Sequence, residues 1–329
     1  MNLVLVFTPF QYLCATRYAN ETQEDVHIVV LTSSKTNIQR ISILQKQFPV
    51  KFPLQRITFI GNNLLWVIKM FYVRCIRIGK YKKILIGNFS NLAAVYLALR
   101  FYKSEKEVIL LDDGMATLNI YKARNVNNDL SNKDASAGRL TSLFFILFPK
   151  LRKVKIESLT FYTLYDLEGI YKPKHDKIIK FSFDNRSVKK SKLDEHLVWF
   201  IGQPLVALNI LQKKEHEEVI RRISKSCELK NLKLVYVLHR LEKPYNDLHV
   251  NYQKFDKALE DVLLDADQPL PKTIISFYST ALLNLHVMDE DMDAYFIETA
   301  SLIENTGLRE VYLYFKNCTN LKPYTMNLE

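Results

Sequence analysis

Short apolar runs rich in β-branched residues alternate along the chain with longer stretches of helical periodicity. In the first half, residues 3–7, 27–31, 57–60, 83–86 and 108–111 read as strands, and residues 11–19, 35–47, 64–77 and 91–102 as helices between them. Strands that are apolar on both faces and separated by helices predict a parallel sheet covered on both sides. A second series of strands follows at 197–201, 234–238, 273–277 and 294–297, again with helices between. Two successive α/β sets without a short repeat predict two Rossmann-like domains facing a central cleft, here assigned to residues 1–180 and 190–329. Their boundary is expected in the polar, basic stretch 171–193, and the polar segment 125–137 is expected to be a loop.

Length and composition support this division. The 329 residues carry 46 Lys and Arg against 35 Asp and Glu, a net charge of +11, and the 48% hydrophobic content suffices for about two buried cores. Only eight glycines occur, and no pair has the spacing of a dinucleotide fingerprint or a P-loop. Those motifs need clustered glycines for close phosphate approach, so a classical Rossmann dehydrogenase, kinase or P-loop NTPase is not expected. The four cysteines are scattered, with no local metal-ligand spacing, which fits a reducing compartment. The apolar N-terminus has no basic residue before Arg17 and reads as a buried strand, not a signal peptide. No run of about 20 apolar residues is present to span a bilayer. The expected location is the cytoplasm.

In open α/β sheets ligands bind beyond the carboxyl ends of the strands, which directs attention to the residues after each predicted strand. Asp112-Asp113-Gly114 follows 108–111; a carboxylate there could take a proton from a hydroxyl, or the trio could be a cap and tight turn. His239-Arg240 follows 234–238, where a histidine could meet a phosphate or be a satisfied core residue. Ser279-Thr280 follows 273–277, and Gly202-Gln203-Pro204 follows 197–201. The hydroxyl pair at a helix start could cap it or form an anion site; the Gly-Gln-Pro segment could be simply a turn. Each signal is weak by itself, but all four fall at predicted strand ends.

In that order and at roughly these intervals, Asp112-Asp113-Gly114, His239 and Ser279-Thr280 resemble the three-motif pattern of bacterial sialyltransferases. Phe7-Thr8-Pro9-Phe10-Gln11 resembles the strand-to-helix turn that opens many of them. The likeness is to glycosyltransferase family 52, the lipooligosaccharide sialyltransferases, and more distantly to bacterial polysialyltransferases. It implies a GT-B-like fold and transfer of sialic acid, or a related nonulosonic acid, from a CMP-activated donor to a hydroxyl of a cell-surface glycan, with inversion. The N-terminal domain would face the acceptor and the C-terminal domain would bind the donor. Two positions depart from the pattern. The usual His-Pro is His239-Arg240, and Gly202-Gln203-Pro204 is followed by Leu205 where some family 52 members carry a catalytic Asp.

The scheme expected from this resemblance makes Asp112 the general base and Asp113 its supporting acid, or the reverse, each carboxyl raising the proton affinity of the other. A protonated His239 would donate to the departing phosphate, with Ser279 and Thr280 binding that phosphate and Arg240 assisting. Gly114, Gly202, Gln203 and Pro204 would line the donor site, and Thr8, Pro9 and Gln11 the N-terminal turn. No metal or other cofactor is required; Asp289-Glu290-Asp291-Met292-Asp293 contains an Asp-x-Asp, read as a solvated acidic loop. Segments 64–83 and 140–155 mix apolar with basic residues, as either covered core helices or a surface for peripheral contact with an anionic inner membrane. Nucleic acid is not an expected partner, because the basic residues are dispersed and no recognition motif is present. A homodimer is compatible with the sequence. Another CMP-sugar as donor, a polymeric product, and a non-catalytic glycan- or membrane-binding protein on a decayed scaffold are the alternatives.

Overall fold

The computed structural model describes residues 1–32, 34–47, 55–58, 75–89, 91–127, 146, 148–152, 155–169, 175–182, 193–265 and 269–325. The chain divides into two compact units, Met1–Phe181 and Ser182–Glu329. The first unit runs β1 (Asn2–Val6), α1 (Pro9–Thr22), β2 (Val26–Thr32), α2 (Lys35–Gln47), β3 (Gln55–Thr58), β4 (Ile84–Ile86), α3 (Leu92–Lys103), β5 (Val108–Leu111), α4 (Met115–Asn127), α5 (Pro149–Arg152), β6 (Thr160–Thr163) and β7 (Lys177–Lys180). Its seven strands pair in parallel in the order β3-β2-β1-β4-β5-β6-β7. The second runs β8 (Leu193–Ile201), α6 (Lys213–Leu229), β9 (Lys233–Val237), β10 (Asn251–Gln253), α7 (Leu259–Asp265), β11 (Leu270–Ser276), α8 (Thr280–Met288), β12 (Asp293–Phe296), α9 (Ala300–Glu304), α10 (Thr306–Cys318) and β13 (Lys322–Pro323). Its six strands are likewise parallel, in the order β10-β9-β8-β11-β12-β13. Both orders are Rossmann-like, and the predicted pair of α/β domains is present.

The central strands form because their side chains have no polar face to offer water: β1, β4 and β5 are buried at every position. Each sheet reverses direction of growth at one place, between β1 and β4 in the first unit and between β8 and β11 in the second. A crevice forms at such a switch point because the helices leave it in opposite directions. Helix starts are fixed by local chemistry. Thr8 caps α1 with Pro9 at its first turn, Asn91 accepts the main-chain N–H groups of Ala93 and Ala94, and Ser279 caps α8.

Some boundaries differ from the sequence expectation. Helix α4 continues to Asn127, into the segment read as a loop, because Asn125 is buried and its amide donates to the Tyr121 carbonyl. Strand β7 lies inside the stretch read as an inter-domain boundary. Most of the two mixed apolar-basic segments lies outside the described residues, as does most of the predicted helix at 64–77. Among the described residues no helix is long and apolar enough to cross a membrane.

Candidate active site

In the first unit two strand ends are tied together by one side chain that passes over a third. Gln11 is fully buried. Its Oε1 accepts the Phe7 main-chain N–H at 2.8 Å, which leaves the amide Nε2 to donate to Asp113 Oδ1 at 2.5 Å. Gly87, just after β4, makes this reach possible: a Cβ there would overlap the Gln11 carboxamide. A bond between residues 102 positions apart thus spans the switch point from the first turn of α1 to the end of β5.

The two aspartates have different surroundings. Asp112 is inaccessible to solvent, and its four lone-pair directions are taken. Oδ1 accepts from the Gly114 N–H (3.0 Å) and the Thr117 hydroxyl (3.1 Å). Oδ2 accepts from the Thr163 hydroxyl (2.8 Å) and the Leu164 N–H (2.9 Å). Asp112 therefore fastens the end of β5 to α4 and to the turn after β6. Gly114 belongs to this knot, with φ of 66°, a conformation that favours glycine. Asp113 is half-buried, and Gln11 is the donor bonded to its carboxylate. Burial raises the proton affinity of both: Asp112 to about 6, against the pull of its four donors, and Asp113 to about 7. The charge of Asp112 adds to the rise at Asp113, after burial. Desolvation, more than the adjacency assumed from the sequence, sets these values.

In the second unit Gln203 plays the corresponding mechanical part. Its Oε1 accepts the Tyr278 N–H (2.9 Å) and the Ser276 hydroxyl (3.3 Å), joining the turn after β8 to the end of β11. Pro204 continues that turn, its carbonyl accepting the Leu208 N–H at 3.0 Å. Ser279 and Thr280 are half-buried at the start of α8, the Ser279 hydroxyl accepting the Ala281 N–H at 3.2 Å. His239 is half-buried just beyond β9, and Arg240 is exposed. Nδ1 of His239 accepts the Leu241 N–H at 3.2 Å, which puts the proton of the neutral ring on Nε2. Burial, then the charges of Arg240 and Lys254, lower its proton affinity. These causes work against the protonated His239 of the scheme expected from the sequence, and in the neutral ring the hydrogen sits on Nε2.

The residue that the sequence did not single out is Glu242. Its carboxylate accepts the His239 N–H (2.9 Å) through Oε2 and the Tyr236 hydroxyl (2.9 Å) through Oε1. Burial pushes it up to about 7. Gly202 is buried with its N–H bonded to the Val237 carbonyl at 2.8 Å, and a Cβ there would overlap Glu242 Oε2. Its N–H is thus committed within the fold, and the position gives room to a carboxylate three residues beyond the histidine. The Asp-x-Asp segment lies at the amino end of β12, the opposite sheet edge, where the Asp291 carbonyl accepts Lys272 Nζ at 2.6 Å. Among the described residues no group of three His, Cys, Asp or Glu side chains could hold a metal ion.

Residues 2–296 match the model of a family described as alpha-2,8-polysialyltransferase (POLYST), the branch that the motifs resemble more distantly. Among solved structures, the MurG of Acinetobacter baumannii aligns with 11% identity and a TM-score of 0.44, covering 100% of this chain and 86% of that one. Arabidopsis thaliana UGT89C1, complexed with quercetin, aligns with 12% identity and a TM-score of 0.47, covering 93% and 81%. No curated protein sequence matches the chain. With the family model spanning nearly its whole length, carboxylate pair and histidine included, the chain belongs to the alpha-2,8-polysialyltransferase family and is a glycosyltransferase of the sialyltransferase type.

Proposed function

We propose that this protein transfers a nonulosonic acid, sialic acid in the first instance, from its CMP-activated donor to a hydroxyl of a cell-surface glycan, with inversion at the anomeric carbon. The observation that carries the reading is Asp113: a half-buried carboxyl at a strand end, with a proton affinity near 7, aimed by Gln11. A base of that strength suits proton removal at neutral pH. In the proposed step the acceptor hydroxyl proton passes to Asp113 as its oxygen bonds to the anomeric carbon. The bond from that carbon to the phosphate oxygen breaks, and CMP leaves with the electron pair. The second unit supplies the groups for that phosphate: His239 Nε2–H, the hydroxyls of Ser279 and Thr280, and the side chain of Arg240. Asp112, enclosed by four donors, fixes the strand end and acts through Asp113.

The family match favours an acceptor that is itself sialylated, so that repeated transfer builds a polymer. Lipooligosaccharide or capsule is the proposed acceptor class, which would place the enzyme in the cytoplasm and peripherally at the inner membrane; flotation with anionic liposomes tests that location. No step is routed through a metal, and undiminished turnover in EDTA is the expected result. The central experiment incubates the full chain with CMP-sialic acid and measures CMP release with and without a panel of glycan acceptors. Acceptor-dependent release supports the reading. Absence of release across sialylated and unsialylated acceptors overturns it.

A further inference from the structure

We propose that Glu242 is the positioning residue of His239, holding the imidazole at the end of β9 through the main chain. The inference rests on the reading of His239 as a donor-site residue. Three observations converge on it. The Glu242 carboxylate is divided between two anchors, the His239 N–H and the Tyr236 hydroxyl, one on the turn and one on the strand that precedes it. The Glu242 N–H closes the same turn onto the His239 carbonyl at 2.8 Å, so side chain and main chain of one residue grip both main-chain polar groups of the histidine. Gly202, in the turn after the neighbouring strand β8, has no Cβ where Oε2 lies. The two adjacent strand ends are thus shaped around one carboxylate.

The clamp works by geometry more than by charge. The charges that shift the His239 ring most are those of Arg240 and Lys254, both lowering it, and burial holds Glu242 itself near 7, where about half of it is neutral. A residue acting through its charge would raise the proton affinity of the ring, and that affinity is lowered. An amide of the same shape can serve the same two anchors. Its oxygen accepts the His239 N–H, and its NH₂ donates to the Tyr236 oxygen, whose hydroxyl can turn to accept.

The test compares Glu242→Ala with Glu242→Gln in the full chain, reading CMP release from CMP-sialic acid and the His239 imidazole signals by NMR, assigned with a His239→Gln sample. Glu242→Ala is expected to lower kcat about 10–100-fold with donor KM changed less than about 3-fold, because an ångström of misplacement can cost about that much. Its His239 ring signals shift away from the wild-type position. Glu242→Gln is expected to recover kcat to within about 3-fold and to restore the His239 signals, as the conserved hydrogen-bond geometry requires. Wild-type kcat and wild-type His239 signals in Glu242→Ala would overturn the proposal, as would Glu242→Gln being as impaired as the alanine variant. If Glu242→Ala does not fold, Tyr236→Phe removes one anchor only and is expected to lower kcat about 3–10-fold; unchanged turnover and His239 signals there would also overturn it. Should the wild-type protein release no CMP, the functional reading fails by itself, and the His239 signals still decide the clamp.

Discussion

In the first unit the glutamine that crosses the switch point ends on a titratable carboxyl, Asp113; in the second, Gln203 ends on the Tyr278 main-chain N–H and the Ser276 hydroxyl. Gln11 sits in the first turn of α1 and Gln203 in the turn after β8, each just past the strand beside the switch point, and both tie strand ends that do not adjoin in sequence. One tie aims an acid, while the other shapes the mouth of a helix. The first unit's strand end consequently holds buried negative charge near its neutralisation point, and the second's holds a neutral imidazole, an exposed arginine and hydroxyls. On the proposed reading, two copies of one architecture serve as base and as anion receptor because their strand-end side chains touch different groups.

The largest effect expected is on the base. Asp113→Asn keeps the shape and its contact with Gln11 but cannot take a proton, so CMP release should fall about 10³-fold with the melting temperature unchanged or raised. His239→Gln should fall less, about 10²-fold, because three other donor groups share its task. Equal losses in the two variants would dissolve the distinction between the units. The wild-type kcat/KM should rise with pH through about 7, as Asp113 loses its proton, and then level. A neutral His239 imposes no falling limb near neutrality, so a bell centred near 6 would show that the imidazolium is required after all.

Asp112 comes next, and its variant should act on folding. Asp112→Asn places an NH₂ group against either the Leu164 or the Gly114 N–H, leaving two donors face to face in a buried site. A cost of about 2–3 kcal/mol follows, lowering the first unit's transition by roughly 5–10 °C for its size. The aspartates also give the two units different pH responses. Their folded proton affinities are raised, so the folded chain binds more protons than the unfolded one between about pH 4 and 7. The stability they contribute is complete below that window and is lost as pH rises through it. The buried His216 of the second unit is lowered to about 4, so its contribution is present above its ordinary value of 6.5 and is lost as pH falls through 4. Protection of β5 amides from hydrogen exchange should therefore weaken from pH 5 to pH 8, and Asp113→Asn should flatten that trend. In the second unit Glu242 and His216 have opposite slopes, and β9 amides should vary less.

Gly87→Ala tests the tie itself. The added methyl displaces the Gln11 carboxamide, so Asp113 loses its donor while every titratable group stays in place. A fall of about 10-fold in kcat is expected, with the rising limb of the pH profile moved upward, because the bond from Gln11 lowers the Asp113 proton affinity. An unmoved profile would mean that Gln11 is structural filler.

The strands that the sequence reveals carry apolar runs: β1, β4 and β5 are buried throughout and β2 at all but one position. Strands β8, β9 and β11 end in buried stretches, β12 alternates buried with half-buried positions, and β3, expected at 57–60, is found at Gln55–Thr58. β6 (TFYT), β7 (KIIK), β10 (NYQ) and β13 (KP) are short or polar, and they are strands because a neighbour pairs with them, a cause that no local window contains. The site divides in the same way. Asp112-Asp113-Gly114 stands out as a trio at a strand end, but which carboxyl is enclosed depends on Thr163 and Leu164, some 50 residues away. Glu242 is an ordinary glutamate in the sequence, and it becomes a clamp because Gly202 leaves a hollow beside Tyr236.

The smallest effects separate the two helix caps. Thr8 accepts the Gln11 N–H at 3.3 Å, and Ser279 accepts the Ala281 N–H at 3.2 Å, so alanine at either position should cost about 1 kcal/mol of stability. Their kinetic signatures should diverge. Thr8→Ala loosens the turn that carries Gln11 and should lower kcat about 2–3-fold by blurring the aim on Asp113. Ser279→Ala removes a hydroxyl proposed to meet the donor phosphate and should raise donor KM about 5–10-fold, since a hydrogen bond to a charged group contributes about 1.5–3 kcal/mol, less what Thr280 and the helix N–H groups still provide. If both variants changed only the melting temperature, Ser279 would be a cap and nothing more, and the proposed anion-receiving part of the second unit would contract to His239, Arg240 and Thr280.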